Sequence, residues 1–410
     1  MKYLVFMFVL FSIEIQANTI TVCKSCKIKT IKEAVSIAKD GDSIFIKKGT
    51  YKEQSIIIIN KSIHLIGEDN PVIDGEFKGT IIKVTASNFS IEGLTLMNVG
   101  QSYTKDFAAI LVSRSKQFVL KNITLKNVFF GFLIEKSHYG TVLNNTITSH
   151  AENEANSGNG IHMWHCSHMK IQNNKVSGLR DGIYFEFVKN STISNNVSQN
   201  NIRYGLHFMF SNNNTYFKNE FKHNGAGVAV MFSKYIIMHD NVFHYNWGMA
   251  SYGLLLKEIY DAQIENNTFE QNTIGINVEN CSRIDYTKNK FIRNGWALKF
   301  SGGCYKNIFE RNDFLYNAFD LSYNSQLNNN RFENNYWSDY TGYDLNKDGI
   351  GDVPYRPVKL FSYIVNQTPE ALVLLRSLFV DIINFSEKVS PVFTPDNLID
   401  KKPLMKIVHD

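Results

Sequence analysis

The chain has little of what marks several common classes of protein. Its 410 residues carry a formal net charge of only +5, and the basic residues are spread along the sequence rather than gathered in one patch. Such a balance argues against a nucleic-acid partner and indicates an ordinary solvated surface. Beyond residue 17, no apolar stretch is long enough and free enough of charge to cross a bilayer. Neither nucleic-acid binding nor a membrane-spanning architecture is therefore expected.

The N-terminus has a short apolar run of its own. Lys2 precedes the run Leu4–Ile13, and the small residue Ala17 follows as a candidate cleavage point. The run is too short for a comfortable membrane span, and this order of features is typical of a secretory signal peptide. The sequence therefore predicts a signal peptide over residues 1–17 and an exported, soluble mature protein.

Cysteine is scarce, with five residues in the whole chain. Cys23 and Cys26 form a CxxC pair, whereas Cys166, Cys281 and Cys304 fall in different repeats. In an oxidising compartment the CxxC pair can close a local disulfide, and two thiolates can also hold copper. A disulfide or an inert pair is the favoured interpretation, because the strand-then-helix pattern of a redox motif does not surround it.

Helical periodicity is nearly absent between Thr80 and Pro369, where short strands are split by Asn, Ser and Gly. From Gly158 to Ser233 the sequence restates itself at a spacing of roughly 22 residues, which indicates a repeat architecture. The clearest mark is Asn-x-apolar-x-x-Asn, whose apolar member is usually Phe. It occurs at Asn195–Asn200, Asn219–Asn224, Asn241–Asn246, Asn267–Asn272, Asn289–Asn294, Asn312–Asn317 and Asn330–Asn335.

This pattern predicts an all-β fold, a right-handed parallel β-helix, over residues 18–357. Each coil would lay three short strands on the next at about 4.8 Å, so that Phe residues stack in the interior. The Asn residues are expected at a corner in left-handed backbone geometry, and recurring glycines at another corner. An up-and-down sandwich is the alternative, but it would not keep one period in register over so many turns. The glycines are Gly160, Gly182, Gly205, Gly227, Gly253 and Gly275.

Helical patterns occur at both ends of the predicted solenoid. Residues 31–38 place apolar side chains on one face of a short helix that would cap the first open edge. A helical and extended docking tail is predicted over residues 358–410, with Thr368 as a candidate N-cap and Pro369 at the first helical position. Its apolar positions at helical spacing include Leu372, Leu375, Phe379, Ile382 and Ile383. Capping of the last coil and docking on a partner are both compatible with this face.

Alignment of the repeats on their glycines sorts the side chains of one strand ladder. Positions one and three after each glycine are apolar and should point inward, so positions two and four should point outward. Met163 is therefore expected in the core, whereas Met209 and Met231 should lie side by side on the outer face. His207 shares that face, and His162 lies two coils away. Thioether and imidazole groups suit Cu(I), so the patch predicts a copper site, although such residues also pack under loops or against partners.

A second group of candidate copper ligands lies at the predicted corner after Trp164. Its members are close together in sequence, and a corner would leave them exposed to solvent. They are His165, Cys166, His168 and Met169.

A third candidate site is the stretch YDLNKDGIGD, which places acids or amides at alternating positions before glycines. Asp344, Asn346, Asp348 and Asp352 resemble the front half of a calcium-binding loop. The twelfth position of such a loop would be Tyr355, where a bidentate Glu is usual. A calcium site and a plain tight turn that ends the solenoid therefore both remain open.

Two sets of motifs resemble known families. The opening, KTIKEAVSIAKDGDSIFIKKGTYKE with GEDNPVIDG, is similar to the β-helix domain shared by carbohydrate-binding proteins and sugar hydrolases. The stretches GNGIHMWHC, RDGIYFEFVKNS, RYGLHFMFSNNN, GAGVAVMFS and NYWSDYTGYDLNKDGIGDVPYRP resemble the NosD family, periplasmic copper-associated maturation proteins of nitrous oxide reductase. The tail stretches PEALVLLRSLFV and VFTPDNLIDKKPLMK resemble that family as well.

The resemblance implies a protein that is not an enzyme and that handles copper, as Cu(I), on the periplasmic side of the inner membrane. It implies association with an ABC transporter permease and its ATPase, receipt of copper from a chaperone lipoprotein, and delivery to apo nitrous oxide reductase. It also implies that the tail docks on the permease. The residues expected there are Leu372, Leu375, Phe379, Ile382 and Met405.

An extracellular polysaccharide lyase, epimerase or glycosidase is the main alternative, because a fold does not decide function. Such enzymes need paired carboxylates, or calcium with a basic residue, on one outer face. The outward positions offer Glu186, Lys257 and Glu279 without an aligned pair of acids, and Arg180-Asp181 falls at a predicted corner. A carbohydrate-binding or other surface module without metal is a third hypothesis, which the His and Met stripe opposes weakly.

Overall fold

The described chain is a right-handed parallel β-helix of about 14 turns with an N-terminal helix and C-terminal helices, as predicted. The predicted signal peptide, residues 1–17, lies outside the described residues. The structure is a computed structural model, and it describes residues 18–53, 55–248, 251–324, 329–375, 377–389 and 398–409.

Three parallel sheets, named A, B and C in the order in which the chain enters them, form the sides of the solenoid. Sheet A consists of Thr19–Val22, Ser43–Ile46, His64–Gly67, Ser90–Glu92, Lys116–Lys121, His138–Leu143, Lys170–Gln172, Thr192–Ser194, Thr215–Phe217, Ile237–His239, Tyr260–Glu265, Ser282–Thr287, Ile308–Glu310 and Arg331–Glu333. Sheet B consists of Thr50–Tyr51, Val72–Asp74, Thr95–Met97, Thr124–Lys126, Thr146–Thr148, Lys175–Ser177, Val197–Gln199, Glu220–Lys222, Val242–His244, Thr268–Glu270, Lys290–Ile292, Asp313–Leu315 and Tyr336–Trp337. Sheet C consists of Ile57–Ile59, Ile82–Val84, Ala108–Ser113, Phe130–Glu135, Asn159–Trp164, Asp181–Glu186, Tyr204–Met209, Ala226–Met231, Leu254–Lys257, Ile274–Glu279, Trp296–Ser301 and Phe319–Asn324.

The predicted capping helix is present as α1, Ile31–Ile37. Thr30 caps it, because its side-chain oxygen accepts the N–H of Glu33 at 3.3 Å. The apolar face of the helix is buried against the first coils. Cys23 and Cys26 close a disulfide just before this helix, as favoured from the sequence.

Aromatic rings fill the solenoid axis in the stacked column that the repeats predict. Successive Phe rings in sheet B lie 4.6 to 5.5 Å apart, and the last, Phe314, stacks on Trp337 at 4.0 Å. All members are buried. The column consists of Phe221, Phe243, Phe269, Phe291, Phe314 and Trp337.

Buried asparagines form hydrogen-bonded ladders along the coil. In Asn219, the backbone N–H and Nδ2 both donate to Oδ1 of Asn241 at 3.0 Å, and Nδ2 also donates to the carbonyl of Ile193 at 2.9 Å. Each side chain thereby satisfies polar groups on the coil before and the coil after, as burial requires. The longer ladder includes Asn145, Asn174, Asn196, Asn219, Asn241, Asn267, Asn289, Asn312 and Asn335.

Left-handed backbone geometry lies one residue before the ladder asparagines, so the expectation that these asparagines adopt it is wrong. Lys218, for example, has a φ of 53° in front of a ladder residue. The mark Asn195–Asn200 is one residue out of register, because both its ends have a φ of 54° while Asn196 and Asn201 are buried in the ladders. Buried hydrogen bonding, rather than tolerance of positive φ, therefore explains the repeated asparagine.

The recurring glycines lie at the start of the sheet C strands, packed inside the coil rather than at an open corner. A Cβ on Gly205 would come within 2.7 Å of the carbonyl oxygen of Gly227 and 3.1 Å of the Phe221 ring. None of the six glycines has a left-handed φ. Close approach of neighbouring coils, not backbone freedom, therefore requires glycine in this column.

The last coil is closed by residues 398–409. Leu398 is fully buried in the solenoid core. Asp400 accepts hydrogen bonds from the backbone N–H and Nδ2 of Asn335, both at 3.1 Å, and from Nε1 of Trp337 at 3.0 Å. Asp400 therefore takes the next rung of the asparagine ladder, and this segment completes the solenoid.

The tail predicted over residues 358–410 is thus divided, with a helical module, residues 360–389, between solenoid segments. Helix α2 spans Leu360–Gln367, and helix α3 spans Leu378–Val389. A 3-10 turn, Pro369–Leu374, separates them, so the helix expected to begin at Pro369 does not form there as an α-helix.

The turn lets the module fold back on sheet C. Phe361, Val365 and Val380 bury their side chains against Phe319, the first residue of the last sheet C strand. A continuous helix from Pro369 would carry Val380 away from this contact. Among the described residues, no helix is both long and apolar enough to span a membrane.

Candidate functional site

The outer face of sheet C is the candidate functional surface, because the long connections of the solenoid border it. The chain passes from sheet B to sheet C through longer loops at residues 98–107, 149–158 and 245–253, of which 249 and 250 are not described. Insertions that gather on one face of a repeat protein often mark its binding face. The helical module packs on this same face nearer the C-terminal end.

One outward column of sheet C carries the predicted thioether pair. Strand register aligns Trp164, Glu186, Met209 and Met231 on successive coils, and Met209 pairs directly with Met231. Both methionines are half-buried, whereas Met163 faces the interior and is fully buried. Strands of neighbouring coils lie about 4.8 Å apart, so the two side chains are adjacent. The alternation predicted from the glycine alignment is therefore confirmed here.

A second column of side chains on the outer face of sheet C contains the two predicted histidines, and neighbouring rings cover them. His162, Tyr184 and His207 align on successive coils, with ring centroids 4.7 and 4.9 Å apart. The Tyr204 ring, on the same strand as His207, lies 4.8 Å from the imidazole. His207 is only 6% exposed, so aromatic rings cover a side chain that the alternation predicts to be outward.

A buried carboxylate lies beside His207. Asp181 is fully buried and receives two hydrogen bonds from Arg203, at 2.9 Å to Nε and 2.6 Å to Nη2. Burial favours the neutral carboxyl, but the hydrogen bonds from Arg203 and the positive charge beside the carboxylate outweigh it and hold the pKa of Asp181 below its usual value. His207 Nδ1 lies 3.7 Å from Asp181 Oδ2, too far for a hydrogen bond.

His162 is a neutral imidazole at neutral pH. Burial and the charge of Arg180 lower its pKa to about 4, against the opposing effect of Asp181. Its Nδ1 lies 3.1 Å from Nδ2 of Asn159. Because Tyr184 stands between the two histidines, His162 and His207 do not share one set of metal ligands.

The second predicted group is split between surface and core. His165 is exposed and stacks on Phe187 at 4.6 Å, and His168 is also exposed. Cys166 and Met169 are 2% and 1% exposed and face the interior, contrary to the expected exposed corner. Burial raises the pKa of the Cys166 thiol to about 12, which keeps it protonated. The four side chains are therefore separated, with the two histidines on the surface and Cys166 and Met169 in the core.

An aromatic ladder flanks the methionine pair, and the sequence reasoning missed it. His165, Phe187, Phe210 and Phe232 each follow the last residue of a sheet C strand and stack at 4.6 to 5.2 Å. Phe210 and Phe232 are 39% and 41% exposed. The signal was an aromatic residue five positions after each of four successive glycines.

Asp181 and Arg203 were missed as well, because Arg180-Asp181 was expected at a corner, where a structural Asp-Gly turn explains it better than a catalytic pair. Asp181 instead begins a sheet C strand. Its contact with Arg203 joins neighbouring coils 22 residues apart, which only an alignment of corner residues would have revealed.

The candidate calcium loop is bonded to itself. Asp344 accepts from the backbone N–H of Asp348 at 3.2 Å and of Gly349 at 2.9 Å, and Asp352 accepts from Leu345 N–H at 2.7 Å. Asn346 Nδ2 donates to Asp348 at 3.1 Å. In the described part of the chain, no three or more His, Cys, Asp or Glu side chains are grouped to hold a metal. Calcium binding here stays a prediction.

The predicted docking residues fall on different surfaces. Leu372, Phe379 and Ile382 are 46%, 55% and 57% exposed, whereas Leu375 packs against the Phe319 cluster. Met405 lies in the solenoid-closing segment, where its backbone N–H donates to the carbonyl of Gly349 at 3.0 Å. The helical module therefore presents an apolar face of its own.

The fold and this face define a class: a parallel β-helix protein with a soft-donor patch and a helical module on the same side. A model of the periplasmic copper-binding protein (NosD) family matches residues 143–342, and a model of a family of unknown function, DUF1565, matches residues 15–242. The DUF1565 model covers more than half of the chain, so the chain belongs to that family, and over residues 143–342 it is similar to the NosD family.

Two curated relatives carry the name "Probable ABC transporter binding protein NosD". The one from Pseudomonas aeruginosa is 26% identical over 92% of this chain and 91% of its own length. The one from Stutzerimonas stutzeri is 25% identical over 90% of this chain and 88% of its own length. Both names describe transporter-associated proteins rather than enzymes.

Solved structures similar to this chain include polysaccharide-modifying enzymes. A family 28 exopolygalacturonase of Yersinia enterocolitica has a TM-score of 0.56, 11% identity, and coverage of 77% of this chain and 78% of its own. A variant of the periplasmic alginate epimerase AlgG has a TM-score of 0.50, 12% identity, and coverage of 71% and 77%. At such low identity these similarities show the fold alone.

Proposed function

We propose that this chain is a periplasmic adaptor that binds Cu(I) on the outer face of sheet C and works with an ABC transporter. The observation that carries the proposal is the direct pairing of Met209 with Met231 on that face. Thioether sulfur is a soft ligand that favours Cu(I), and two sulfur atoms on neighbouring coils can converge on one ion. The copper named in the description of the matching family supports this choice of metal.

A third donor is available from His207 on the same strand. Residues two apart on one strand face lie roughly 6.6 Å apart, so an ion beside Met209 is within reach of a small movement of the imidazole. Few soft ligands would hold the ion weakly enough to pass it on. We therefore treat copper as cargo rather than as a resident cofactor.

The helical module would dock on the transporter permease. Leu372, Phe379 and Ile382 leave an apolar surface uncovered, and such patches mark interaction sites. The module packs on Phe319, four coils beyond Met231 in sheet C, or roughly 20 Å along the face. A permease bound there would hold the protein at the inner membrane with the methionine pair close by, while the ATPase acts from the other side.

A protein that carries copper needs one partner that supplies the ion and another that receives it. A copper chaperone lipoprotein would supply Cu(I), and apo nitrous oxide reductase would receive it. The aromatic ladder, His165, Phe187, Phe210 and Phe232, offers a stacked and partly exposed surface beside the methionine pair for either protein. This assignment rests on the family and on that adjacency.

The experiment is a Cu(I) titration of the purified protein against a competing chelator. Met209→Leu with Met231→Leu keeps apolar bulk but removes both sulfurs, and it should weaken binding at least about tenfold, or about 1.4 kcal/mol. Met97→Leu is the matched control, because Met97 is half-buried and outward on sheet B, beside Asp74 and Lys126. Equal affinity in the wild type and the double variant would rule out this site.

The alternative hypothesis of a polysaccharide lyase, epimerase or glycosidase requires a different result. The curated relatives are named as transporter-binding proteins, and the enzyme neighbours share only the fold. Incubation of the purified protein with alginate or pectin should leave the polymer unchanged. Cleavage or epimerisation that persists after removal of copper would replace the adaptor hypothesis with the enzymatic one.

A further inference from the structure

The ion pair between Asp181 and Arg203 needs an explanation beyond stability. The guanidinium donates to both carboxylate oxygens, at 2.9 and 2.6 Å, and its carbon lies 5.0 Å from the centre of the Tyr204 ring. This two-point contact fixes the orientation of a fully buried carboxylate. Buried ion pairs often stabilise a fold no better than apolar residues of the same size.

The imidazole beside this carboxylate makes no hydrogen bond through either ring nitrogen in the described part of the chain. Among the described residues, Nδ1 and Nε2 of His207 are both buried and make no hydrogen bond. Leaving a buried polar group unsatisfied costs about 1–3 kcal/mol, and such groups in native proteins call for a specific reason. The Tyr184 and Tyr204 rings pack against the imidazole, with ring centroids at 4.9 and 4.8 Å.

We propose that Asp181, fixed by Arg203, is the positioning residue that prepares His207 to bind Cu(I) together with Met209. A shift of less than about 1 Å closes the 3.7 Å gap from Nδ1 to the carboxylate. The Nδ1–H then donates to Asp181, and Nε2 keeps its lone pair for the metal. Metal-binding histidines usually donate their other ring N–H to a carboxylate or a carbonyl. The inference rests on the proposed copper function of the methionine pair.

The chain supplies a matched control pair. Arg283 donates to both oxygens of Asp261 at 2.6 and 2.9 Å, also across a separation of 22 residues. Asp261 belongs to sheet A, so the pair lies away from the outer face of sheet C. Asp261→Asn removes the same kind of contact without touching His207.

The test measures Cu(I) affinity and the copper X-ray absorption spectrum of each variant. Asp181→Asn should weaken Cu(I) binding about 10- to 100-fold and remove the imidazole contribution from the spectrum, while sulfur scattering remains. Asp261→Asn should change neither. His207→Ala should match Asp181→Asn, and the double variant should be no weaker than either single variant, since both act through one imidazole.

Arg203→Lys provides a second measurement in case Asp181→Asn folds poorly. Lysine keeps the charge but cannot make the two-point contact, so a smaller loss of affinity is expected, with the imidazole signal retained. Asp181→Asn or Arg203→Lys binding with wild-type affinity and an unchanged spectrum would overturn the positioning role and leave methionine-dependent binding intact. Equal Cu(I) affinity in the wild type and in Met209→Leu with Met231→Leu would overturn the proposed function and this inference together.

Discussion

Asp320 is a buried carboxyl in a column that is otherwise glycine or alanine. Strand register places it after Gly275 and Ala297 at the start of the last sheet C strand. Burial raises its pKa to about 7, against the opposing charge of Lys359, and the Tyr355 hydroxyl donates to it at 3.2 Å. A carboxyl with such a pKa couples the end of the solenoid to pH.

Asp320→Asn should make the protein less sensitive to alkaline pH. The folded-state pKa of Asp320 lies above its value of about 3.9 in an unfolded chain. Its contribution to stability is therefore fully present below about pH 4 and is lost as pH rises through about 7. At about 1.4 kcal/mol per pKa unit, the whole loss is on the order of 4 kcal/mol, of which about 3 kcal/mol falls between pH 5 and pH 8.5, because the loss begins near pH 4. Urea unfolding of variant and wild type at pH 5 and pH 8.5 measures the difference.

The matched control is Asp285→Asn, an exposed outward residue of sheet A. It should change the free energy of unfolding by less than about 0.5 kcal/mol at either pH. If Asp320→Asn has the same effect on stability at pH 5 and pH 8.5, Asp320 does not titrate in this range in the folded protein.

The candidate copper residues show how far residue-level reasoning reaches. Strict alternation along a strand correctly put Met163 inside and Met209 beside Met231, because the side-chain period of a strand is two. Alternation could not predict the burial of His207, because one of the rings that cover it, Tyr184, lies on the neighbouring coil. The prediction that Cys166 is exposed was wrong for a different reason. Cys166 follows the corner after the strand Asn159–Trp164, where the alternation of side chains is interrupted.

At the element scale, the helical module is a short amphipathic unit between two anchored segments. Tyr355 before it and Asp400 after it pair in an antiparallel bridge at the solenoid end. The module therefore has both ends fixed, and its inner face is buried on Phe319. Leu372, Phe379 and Ile382 of the predicted apolar face are exposed, whereas the break at Pro369–Leu374 was not predicted from the sequence.

Phe379→Ser with Ile382→Ser should abolish co-purification with the transporter permease. Both side chains are more than half exposed, at 55% and 57%, so the fold should change little, with a melting temperature close to that of the wild type. The loss should come from the apolar area that each side chain would bury in the complex. Pull-down from membranes that carry the permease and the ATPase measures it.

Leu345→Ser is the control for this prediction, because Leu345 is 78% exposed in the loop that follows the last sheet B strand. The control should retain the complex. Retention of the complex by the Phe379 and Ile382 double variant would show that the transporter binds elsewhere.

At the scale of the whole molecule, the solenoid needs a closed end. A parallel β-helix leaves the last coil with unpaired backbone and an exposed core unless another segment covers it. Here residues 398–409 supply Leu398 to the core and Asp400 to the ladder. The chain thus returns to the solenoid after the helical module, so the solenoid does not end at residue 357 as predicted.

Deletion of residues 398–410 should destabilise the C-terminal coils even though the rest of the solenoid is intact. It uncovers Trp337 and removes the acceptor of Asn335, at a cost on the order of 3 kcal/mol or more. Because stability in a repeat protein is local, hydrogen exchange should accelerate first in Arg331–Glu333 and Tyr336–Trp337. Exchange unchanged there would contradict the closing role.

Lys401→Ala with Lys402→Ala is the control for the deletion. Both side chains are exposed, and the backbone carbonyl of Lys402, which the substitutions keep, accepts from Asn334 N–H at 3.0 Å. The double variant should therefore exchange like the wild type.

The amino-acid sequence by itself determined the solenoid, the stacked Phe column and the adjacency of Met209 with Met231. Those features depend on a fixed repeat and on alternation within a strand, which are local and periodic. Tertiary structure alone decided the burial of His207, the contact of Asp181 with Arg203 and the return of Leu398 to the core. These depend on residues brought together by stacking or by chain reversal, and neither the repeat length nor the alternation specifies such contacts.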